Sequence, residues 1–335
     1  MLKGSVRILL VFMVFAVVSV GVYAQTIKLA SPLPEGTEWD TSLRRMAGDW
    51  NRITEGRVRV RIYPGGIAGG EGDMIRKMRF GQIDAGVFSA FGLKAMVPET
   101  FVVTLPGLIH NDAELDYTLD TFVGRFDERF REEGFEILAW SKTGWANLFG
   151  NQPLRTPSDL KRSFLAVDNS ESEIAAAFKE LGFNVVPVSL NEVMVGLQSG
   201  QIDCIYTPPV VAAAYQWFAL APHMTDFGIA PVIGGLVITQ RMWSRIPEEY
   251  HEELRSSMEK LARDFYSESV RLNDAALRVM KDNGLVVIKP TRAETDTWLA
   301  AMSDGQNLMV GEGKAVPTEL YEDLSSELDR FRNGQ

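Results

Sequence analysis

The sequence has few of the residue types on which disulfide scaffolds, metal sites and thiol enzymes depend. Among its 335 residues it has one cysteine, Cys204, and three histidines, His110, His223 and His251. A single cysteine cannot form an internal disulfide, so stability must come from buried cores. No histidine is spaced as a ligand pair with another histidine or with the cysteine, which argues against metal catalysis and a Cys–His couple. We therefore predict no metal site and no cofactor.

Positive charge is also scarce. The chain has 34 lysines and arginines against 44 aspartates and glutamates, which gives a formal net charge of −10. An acidic surface of this kind repels nucleic acid and anionic lipid, so we expect neither as a partner. The composition is otherwise ordinary for a globular protein and contains no low-complexity stretch.

The N-terminus has the pattern of a secretory signal. Lys3 and Arg7 precede an apolar run from Ile8 to Val18, and Val22-Tyr23-Ala24 then forms an A-x-A-like cleavage site. We predict that residues 1–24 are a signal peptide and that the mature protein starts near Gln25. The alternative is an uncleaved membrane anchor, because the apolar segment is about 17 residues long.

Strand and helix patterns alternate along the rest of the chain. Thr26 to Pro32 alternates polar and apolar residues, and Trp39 to Ile53 has helical spacing. Arg57 to Tyr63 alternates strictly and stops at Pro64-Gly65-Gly66, as a strand does before a turn. This order of elements predicts an α/β layered sheet.

An internal repeat indicates two similar halves. Met74 to Ala85 reads M-I-R-K-M-R-F-G-Q-I-D-A, and Val193 to Cys204 reads V-M-V-G-L-Q-S-G-Q-I-D-C. In both copies an amphipathic helix ends at a glycine and Gln-Ile-Asp leads into an apolar strand. Two α/β lobes facing each other would form a cleft between domains, where small-molecule sites preferentially lie.

The repeated aspartates, Asp84 and Asp203, allow two interpretations. As a pair they could act as acid and base across the cleft. We favour a structural role, because a carboxylate after a helix-ending glycine can bond local backbone N–H groups.

One long helix is predicted near the C-terminus. Glu248 to Asn283 contains neither proline nor glycine. Unbroken, this segment would extend about 54 Å, enough to run across both lobes. A last helix is predicted at roughly Thr318 to Phe331.

Taken together, these segments resemble the extracytoplasmic solute receptors of TRAP transporters, the tripartite ATP-independent periplasmic family. The resemblance covers most of the mature chain, and its motifs are short but occur in a specific order. They are Arg61-Ile62-Tyr63-Pro64-Gly65-Gly66, Gly81-Gln82-Ile83-Asp84, Thr156-Pro157-Ser158-Asp159-Leu160-Lys161, Leu197-Gln198-Ser199-Gly200 and Trp243 with Ile246-Pro247.

The resemblance implies an α/β two-lobe periplasmic solute-binding protein fold with an interdomain cleft and a long hinge-spanning helix. We expect lobe I to comprise residues 25–143 and 233–272, and lobe II residues 144–232 and 273–335. It also implies a non-enzymatic receptor that delivers a small-molecule ligand to TRAP membrane permease subunits driven by an ion gradient. A subset of the family is associated with tetratricopeptide-repeat proteins, which makes a periplasmic protein of that kind a further possible partner.

The sequence departs from the family where most members bind organic acids. The family arginine of the L-K-I-R-V pattern is replaced by Ala166, and that of a G-x-R pattern by Ala146. The family asparagine of the D-G-x-E-N segment corresponds to Thr207. A buried carboxylate needs a charge-assisted partner, and alanine supplies none.

We therefore predict a hydrophobic or amphipathic ligand in an apolar cleft. The expected ligand-contacting residues are Trp39, Phe88, Phe91, Trp145, Ala146, Phe164, Ala166, Leu190, Tyr206, Thr207 and Trp217. For each aromatic residue, core packing is at least as good an explanation as ligand contact.

Two alternatives stay open. One is a receptor for an organic acid bound by compensating arginines, namely Arg162, Arg76 or Arg79. The other is a periplasmic enzyme that uses Asp84 and Asp203.

Overall fold

A computed structural model describes residues 24–169, 171–189 and 192–334. Residues 1–23 of the predicted signal peptide 1–24 lie outside the described residues. The strands of the described part are β1 (Gln25–Ala30), β2 (Val58–Tyr63), β3 (Ala85–Ser89), β4 (Phe135–Gly150), β5 (Phe164–Asp168), β6 (Asn184–Val188), β7 (Cys204–Thr207), β8 (His223–Thr239) and β9 (Val286–Ile288).

The helices follow the strands in the alternation that the sequence predicts. They are α1 (Glu38–Ile53), α2 (Glu71–Arg79), α3 (Ala90–Met96), α4 (Asp112–Glu132), α5 (Pro157–Leu160), α6 (Ser172–Glu180), α7 (Val193–Ser199), α8 (Pro209–Ala214), α9 (Gln240–Trp243), α10 (His251–Asp282), α11 (Arg292–Met309) and α12 (Thr318–Gly334). Short 3-10 helices occupy Pro98–Thr104, Trp217–Ala219 and Glu248–Tyr250.

The sheet contains the same parallel unit twice. Its strand order is β2-β1-β3-β8-β4-β7-β5-β6, with β9 paired to β8. The units β2-β1-β3 and β6-β5-β7 are both parallel and have the same connectivity. Both repeated glycines have a left-handed backbone, with φ of 73° at Gly81 and 74° at Gly200. The internal repeat predicted from the Gln-Ile-Asp motif is therefore confirmed.

Two long antiparallel strands join the units. β4 and β8 pair along most of their length, from Phe135 opposite Thr239 to Gly150 opposite His223. One end of β8 pairs with β3, and the other end of β4 pairs with β7. The midpoint of this ribbon is irregular, with register shifts near Gly144. The ribbon is thus the connection about which the two lobes can move.

The long helix α10 also spans both lobes. Its first half packs Leu254 and Met258 into the core around β1. Its second half packs Ala276 and Met280 into the core around β7. With 32 residues, α10 extends about 48 Å. The predicted long helix across both lobes is confirmed, although Glu248–Tyr250, the first three residues of the predicted segment, form a 3-10 helix before α10.

The last helix, α12, packs on α4. The predicted division of the chain puts α12 in lobe II and α4 in lobe I, and that division stays a prediction. Arg332 of α12 forms an ion pair with Glu114 of α4 at 2.7 Å. Tyr117 stacks on Phe331 with ring centroids 4.6 Å apart. The reason is the apolar face of α12, whose leucines join the core formed by α4.

Within the described ranges, no helix combines the length and the apolar character needed to cross a bilayer.

Candidate functional site

An open cleft lies between the two lobes. The carboxyl ends of parallel strands are where α/β sheets place ligands. A cleft of about 880 Å³ lies between α3, which follows β3, and α6, which follows β5. Its volume is in the range of small-molecule sites. Its lining includes Glu71, Ser89, Phe91, Lys94, Ser172, Glu173, Ala176 and Glu180.

An ion pair crosses this cleft. Lys94 Nζ on α3 lies 2.7 Å from Glu173 Oε1 on α6. Burial alone would raise the pKa of Glu173, but the hydrogen bond from Lys94 and bonds from its own backbone and Ser172 lower it. The Lys94 ammonium also lies 4.5 Å from the centroid of the Phe101 ring. The pair therefore joins α3 to α6 across the cleft.

A second carboxyl, Glu171, lies beside the ion pair and is almost fully buried, with 8% of its surface exposed. Its Oε2 atom has no hydrogen-bond partner among the described residues. Burial raises the pKa of Glu171 to about 8, with a further contribution from Asp168 and an opposing one from Lys94. At neutral pH this carboxyl is therefore largely protonated.

Trp145 is held at the hinge by a hydrogen-bond network. Its indole Nε1 donates to Asp112 Oδ1 at 2.9 Å, and the Tyr266 hydroxyl donates to Asp112 Oδ2 at 2.6 Å. Asp112 belongs to α4 and Tyr266 to α10, so three elements fix one indole ring. The ring of Trp145 packs against the apolar cluster that contains Ile174 of α6 and Ile233 of β8.

The hinge is further fixed by Asn273 of α10. Its amide nitrogen donates to the carbonyl of Thr143 at 2.9 Å, and its amide oxygen accepts from the N–H of Val210 at 3.0 Å. Gly144 lies against this amide with φ of 114°, a backbone conformation that favours glycine.

The three positions that depart from the family pattern are buried. Ala146 is 5%, Ala166 is 6% and Thr207 is 8% exposed. Ala166 belongs to the core around β5 and β7. Ala146 is paired with Ala230 of β8. Because these side chains are small and enclosed, they offer a ligand no charge.

The predicted aromatic residues separate into two groups. Phe91 lines the cleft, and Trp145 lies at the hinge. Phe88 and Trp217 are 2% and 3% exposed within hydrophobic cores. Trp39 is half-buried on α1 and packs on the core of the first lobe. Phe88, Trp217 and Trp39 thus pack in or on hydrophobic cores, and their contact with a ligand stays a prediction.

Two further residues that were predicted to contact the ligand lie away from the cleft. Phe164 is 47% exposed. It lies at the amino end of β5, the end opposite to the cleft. Tyr206 packs with Leu148, Leu165 and Trp298 around a small internal cavity, and its hydroxyl has no partner among the described residues. Leu190 lies outside the described residues.

The arginines considered as replacements lie on the surface in ion pairs. Arg162 contacts Asp159 at 2.6 Å, and Arg76 contacts Asp73 at 2.5 Å. Arg79 contacts Glu133 at 3.3 Å. At least half of each arginine side chain is exposed, as expected for surface residues.

The repeated aspartates have equivalent structural roles. Asp84 Oδ2 accepts from the N–H of Lys28 at 2.9 Å, and Asp203 Oδ2 accepts from the N–H of Phe164 at 3.0 Å. Each aspartate precedes its strand, at the amino end of the parallel unit. They connect strands at the end of the sheet away from the cleft, which removes the basis for an acid–base pair.

Sequence reasoning missed the polar residues Lys94, Glu171 and Glu173. Asp168 is the last residue of β5, and Glu171 and Glu173 follow shortly after it. The rule that ligands bind at the carboxyl ends of parallel strands could have identified these residues. Among the described residues, no group of histidine, cysteine or carboxylate side chains is arranged to hold a metal ion.

Comparison with known proteins gives a consistent result. Residues 29–306 match the family described as bacterial extracellular solute-binding protein, family 7. The 2,3-diketo-L-gulonate-binding periplasmic protein of Escherichia coli K12 is 27% identical over 211 residues. The match covers 62% of this chain and 63% of that relative, so it spans less than two thirds of the relative's length.

Solved structures show the same fold. A TRAP periplasmic solute binding protein of Ochrobactrum anthropi, with its C-terminus bound in the ligand-binding pocket, has a TM-score of 0.83 at 22% identity, covering 94% of this chain and 98% of that one. Another, from Pseudomonas putida F1 with bound D-glucuronate, has a TM-score of 0.77 at 18% identity, covering 91% and 97%. The predicted two-lobe α/β fold is confirmed.

The family consists of binding proteins and not of enzymes, in agreement with the roles found for Asp84 and Asp203. The resemblance first drawn from short motifs is confirmed by a match over most of the sequence and by shared architecture. The chain belongs to family 7 of the bacterial extracellular solute-binding proteins, the family of the TRAP solute receptors.

Proposed function

We propose that this protein is a periplasmic receptor that closes its two lobes over a small hydrophobic or amphipathic ligand and delivers it to a TRAP membrane permease. The observation that carries the ligand class is the burial of Ala146 and Ala166 at 5% and 6% exposure. These positions correspond to the family's acid-binding arginines. A ligand carboxylate placed at these positions would have no bidentate partner, so the free-energy cost of its desolvation would not be offset.

The apolar surface near the hinge supports the same ligand class. Trp145, Ile174 and Ile233 come from β4, α6 and β8 and meet in one cluster. Phe91 adds an aromatic ring at the cleft. Burying apolar ligand area here would contribute about 25 cal/mol per Å² before the entropic cost of association.

A second candidate is a receptor for an organic acid. The relative from Pseudomonas putida holds D-glucuronate, and Lys94 is a cation in the cleft of this chain. The arginines do not serve this purpose, since they are paired on the surface. Lys94 is itself paired with Glu173, so an acid bound by Lys94 would have to displace that carboxylate. We therefore rank this candidate second.

The permease is the partner that the family relationship suggests. A periplasmic tetratricopeptide-repeat protein is a further proposed partner, which rests on the substitutions at positions 146 and 166 alone. The order of genes around this one would test both partners.

The ligand class is tested by native and denaturing mass spectrometry of the mature protein as purified. We expect a bound lipid-like mass, because a closed apolar cleft retains its ligand. Trp145→Asp should lose that mass, since it places a charge in the apolar cluster at the hinge. The thermal midpoint of each variant shows whether it is folded.

Phe164→Asp is the matched control. It makes the same substitution at an exposed aromatic residue at the other end of the sheet, and it should retain the mass. If Trp145→Asp does not fold, Phe91→Asp at the cleft replaces it. A bound polar organic acid would instead favour the second candidate and require a different assignment of the pocket.

A further inference from the structure

Glu171 is the one carboxyl group beside the cleft, within the described ranges, that is both buried and incompletely hydrogen-bonded. It lies at the start of α6, next to cleft-lining Ser172. With 8% of its surface exposed, it is more than nine-tenths buried. A buried polar atom without a partner is unfavourable in a folded protein and calls for an explanation such as a ligand.

The charges around Glu171 are predominantly negative. Asp168 lies at the end of β5, Glu173 lies on α6, and Lys94 reaches them from α3 of the opposite lobe. Lys94 is already engaged by Glu173 at 2.7 Å. Asp168 and Lys94 act on Glu171 with opposite sign, and burial dominates both. An anion entering at Glu171 would meet carboxyl groups and a lysine that is already paired. Lys314, the other lysine of the cleft lining, is not among the groups that act on Glu171.

We propose that Glu171 receives a protonated amine of the ligand, so that the ligand is an amphipathic cation with its apolar body toward Trp145. This inference rests on the proposed function and adds the charge of the ligand to it. The missing partner of Glu171 Oε2 is then a ligand N–H. The buried alanines at positions 146 and 166 fit a site from which the family's positive charge has been removed.

Such binding is coupled to the protonation of Glu171. An ammonium group favours the ionised carboxylate and lowers its pKa, which is about 8 without ligand. Below that pH, binding must release the carboxyl proton to solvent. Affinity for the cation should therefore increase as the pH rises toward 8.

The test uses three probes with the same alkyl chain, namely n-octylamine, n-octanol and octanoate. Calorimetric titration of the ligand-stripped protein at pH 7 should show octylamine binding at least about ten-fold more tightly than the other two. Glu171→Gln should weaken octylamine by about ten-fold or more and leave octanol unchanged. Titration in buffers of different ionisation enthalpy should show release of up to about one proton per octylamine.

Glu319→Gln is the control, because Glu319 is an exposed carboxyl on α12, outside the lining of the cleft. It should leave octylamine binding within about two-fold of the original. Equal binding of octylamine and octanol, preference for octanoate, or no effect of Glu171→Gln overturns the amine assignment. If octanol still binds, the proposed receptor for an apolar ligand is retained and only the amine site is rejected. If none of the three probes binds, the proposed ligand class fails as well.

Discussion

Glu171→Gln should make the ligand-free protein more stable by about 3 kcal/mol at pH 7 and by about 4 kcal/mol near pH 8. The glutamine has the shape of the protonated carboxyl but cannot ionise. In the unfolded chain Glu171 ionises at its ordinary pKa of 4.5, whereas in the folded protein its pKa is raised to about 8. The folded state therefore holds a proton that the unfolded state has lost between these values.

The sign of the pH dependence follows from this difference. A carboxyl with a raised folded-state pKa contributes most to stability below pH 4.5 and loses that contribution as the pH rises toward 8. Urea unfolding at pH 5, 7 and 8.5 should show the two proteins nearly equal at pH 5 and diverging above it. Equal unfolding free energies at all three values would show that Glu171 is solvated, and would remove the basis of the amine site.

Ser269→Pro should destabilise the protein by about 3 kcal/mol or more. Ser269 lies within α10 between its two anchoring halves and is 1% exposed. Proline removes an intrahelical hydrogen bond there and clashes with the preceding turn. The carbonyl of Ser269 accepts a bond from Asn273, which also holds β4 and α8. A break at this position thus disturbs the hinge as well as the helix.

The control for this prediction is Ser269→Ala. The hydroxyl of Ser269 has no hydrogen-bond partner among the described residues. Alanine therefore removes an unsatisfied group and should leave stability unchanged or slightly higher. Chemical denaturation of both variants gives the comparison. A difference of less than about 0.5 kcal/mol between them would mean that α10 does not couple the lobes.

The elements that were predictable from sequence are those with a local cause. A helix stopped by glycine and followed by Gln-Ile-Asp is a local pattern, and it occurs in both halves of the fold. The absence of proline and glycine from Glu248 to Asn283 likewise identified α10. These features depend on backbone preferences that each segment carries by itself.

The residues at the cleft were harder to predict, because a strand has two faces and two ends. Phe164 and Ala166 belong to the same strand, yet Phe164 is exposed at its amino end while Ala166 is buried. Composition alone does not separate Phe88, which packs in a core, from Phe91, which lines the cleft three residues later. The ion pair between Lys94 and Glu173 joins segments far apart in sequence, and no local pattern indicates it.

The position of α12 shows the same limit. The apolar stripe of α12 predicts that this helix packs against another element, but it does not indicate which lobe provides that element. Its contacts with α4 involve Arg332 and Glu114, which are separated by most of the chain.

The most direct test of the account is whether the lobes close around a ligand. Cysteines placed at Arg76 on α2 and Lys179 on α6 would carry spin labels on opposite sides of the cleft. Burial raises the pKa of the Cys204 thiol and keeps this thiol from reacting, so it does not interfere with labelling.

Distances between the two labels would be measured by pulsed electron–electron double resonance, first on the protein as purified and then after unfolding, ligand removal and refolding. A receptor that closes on its ligand gives a short, narrow distance distribution as purified and a longer, broader one after ligand removal, and adding back the extracted ligand reverses the change. One unchanged distribution in both states would contradict a receptor that closes on its ligand.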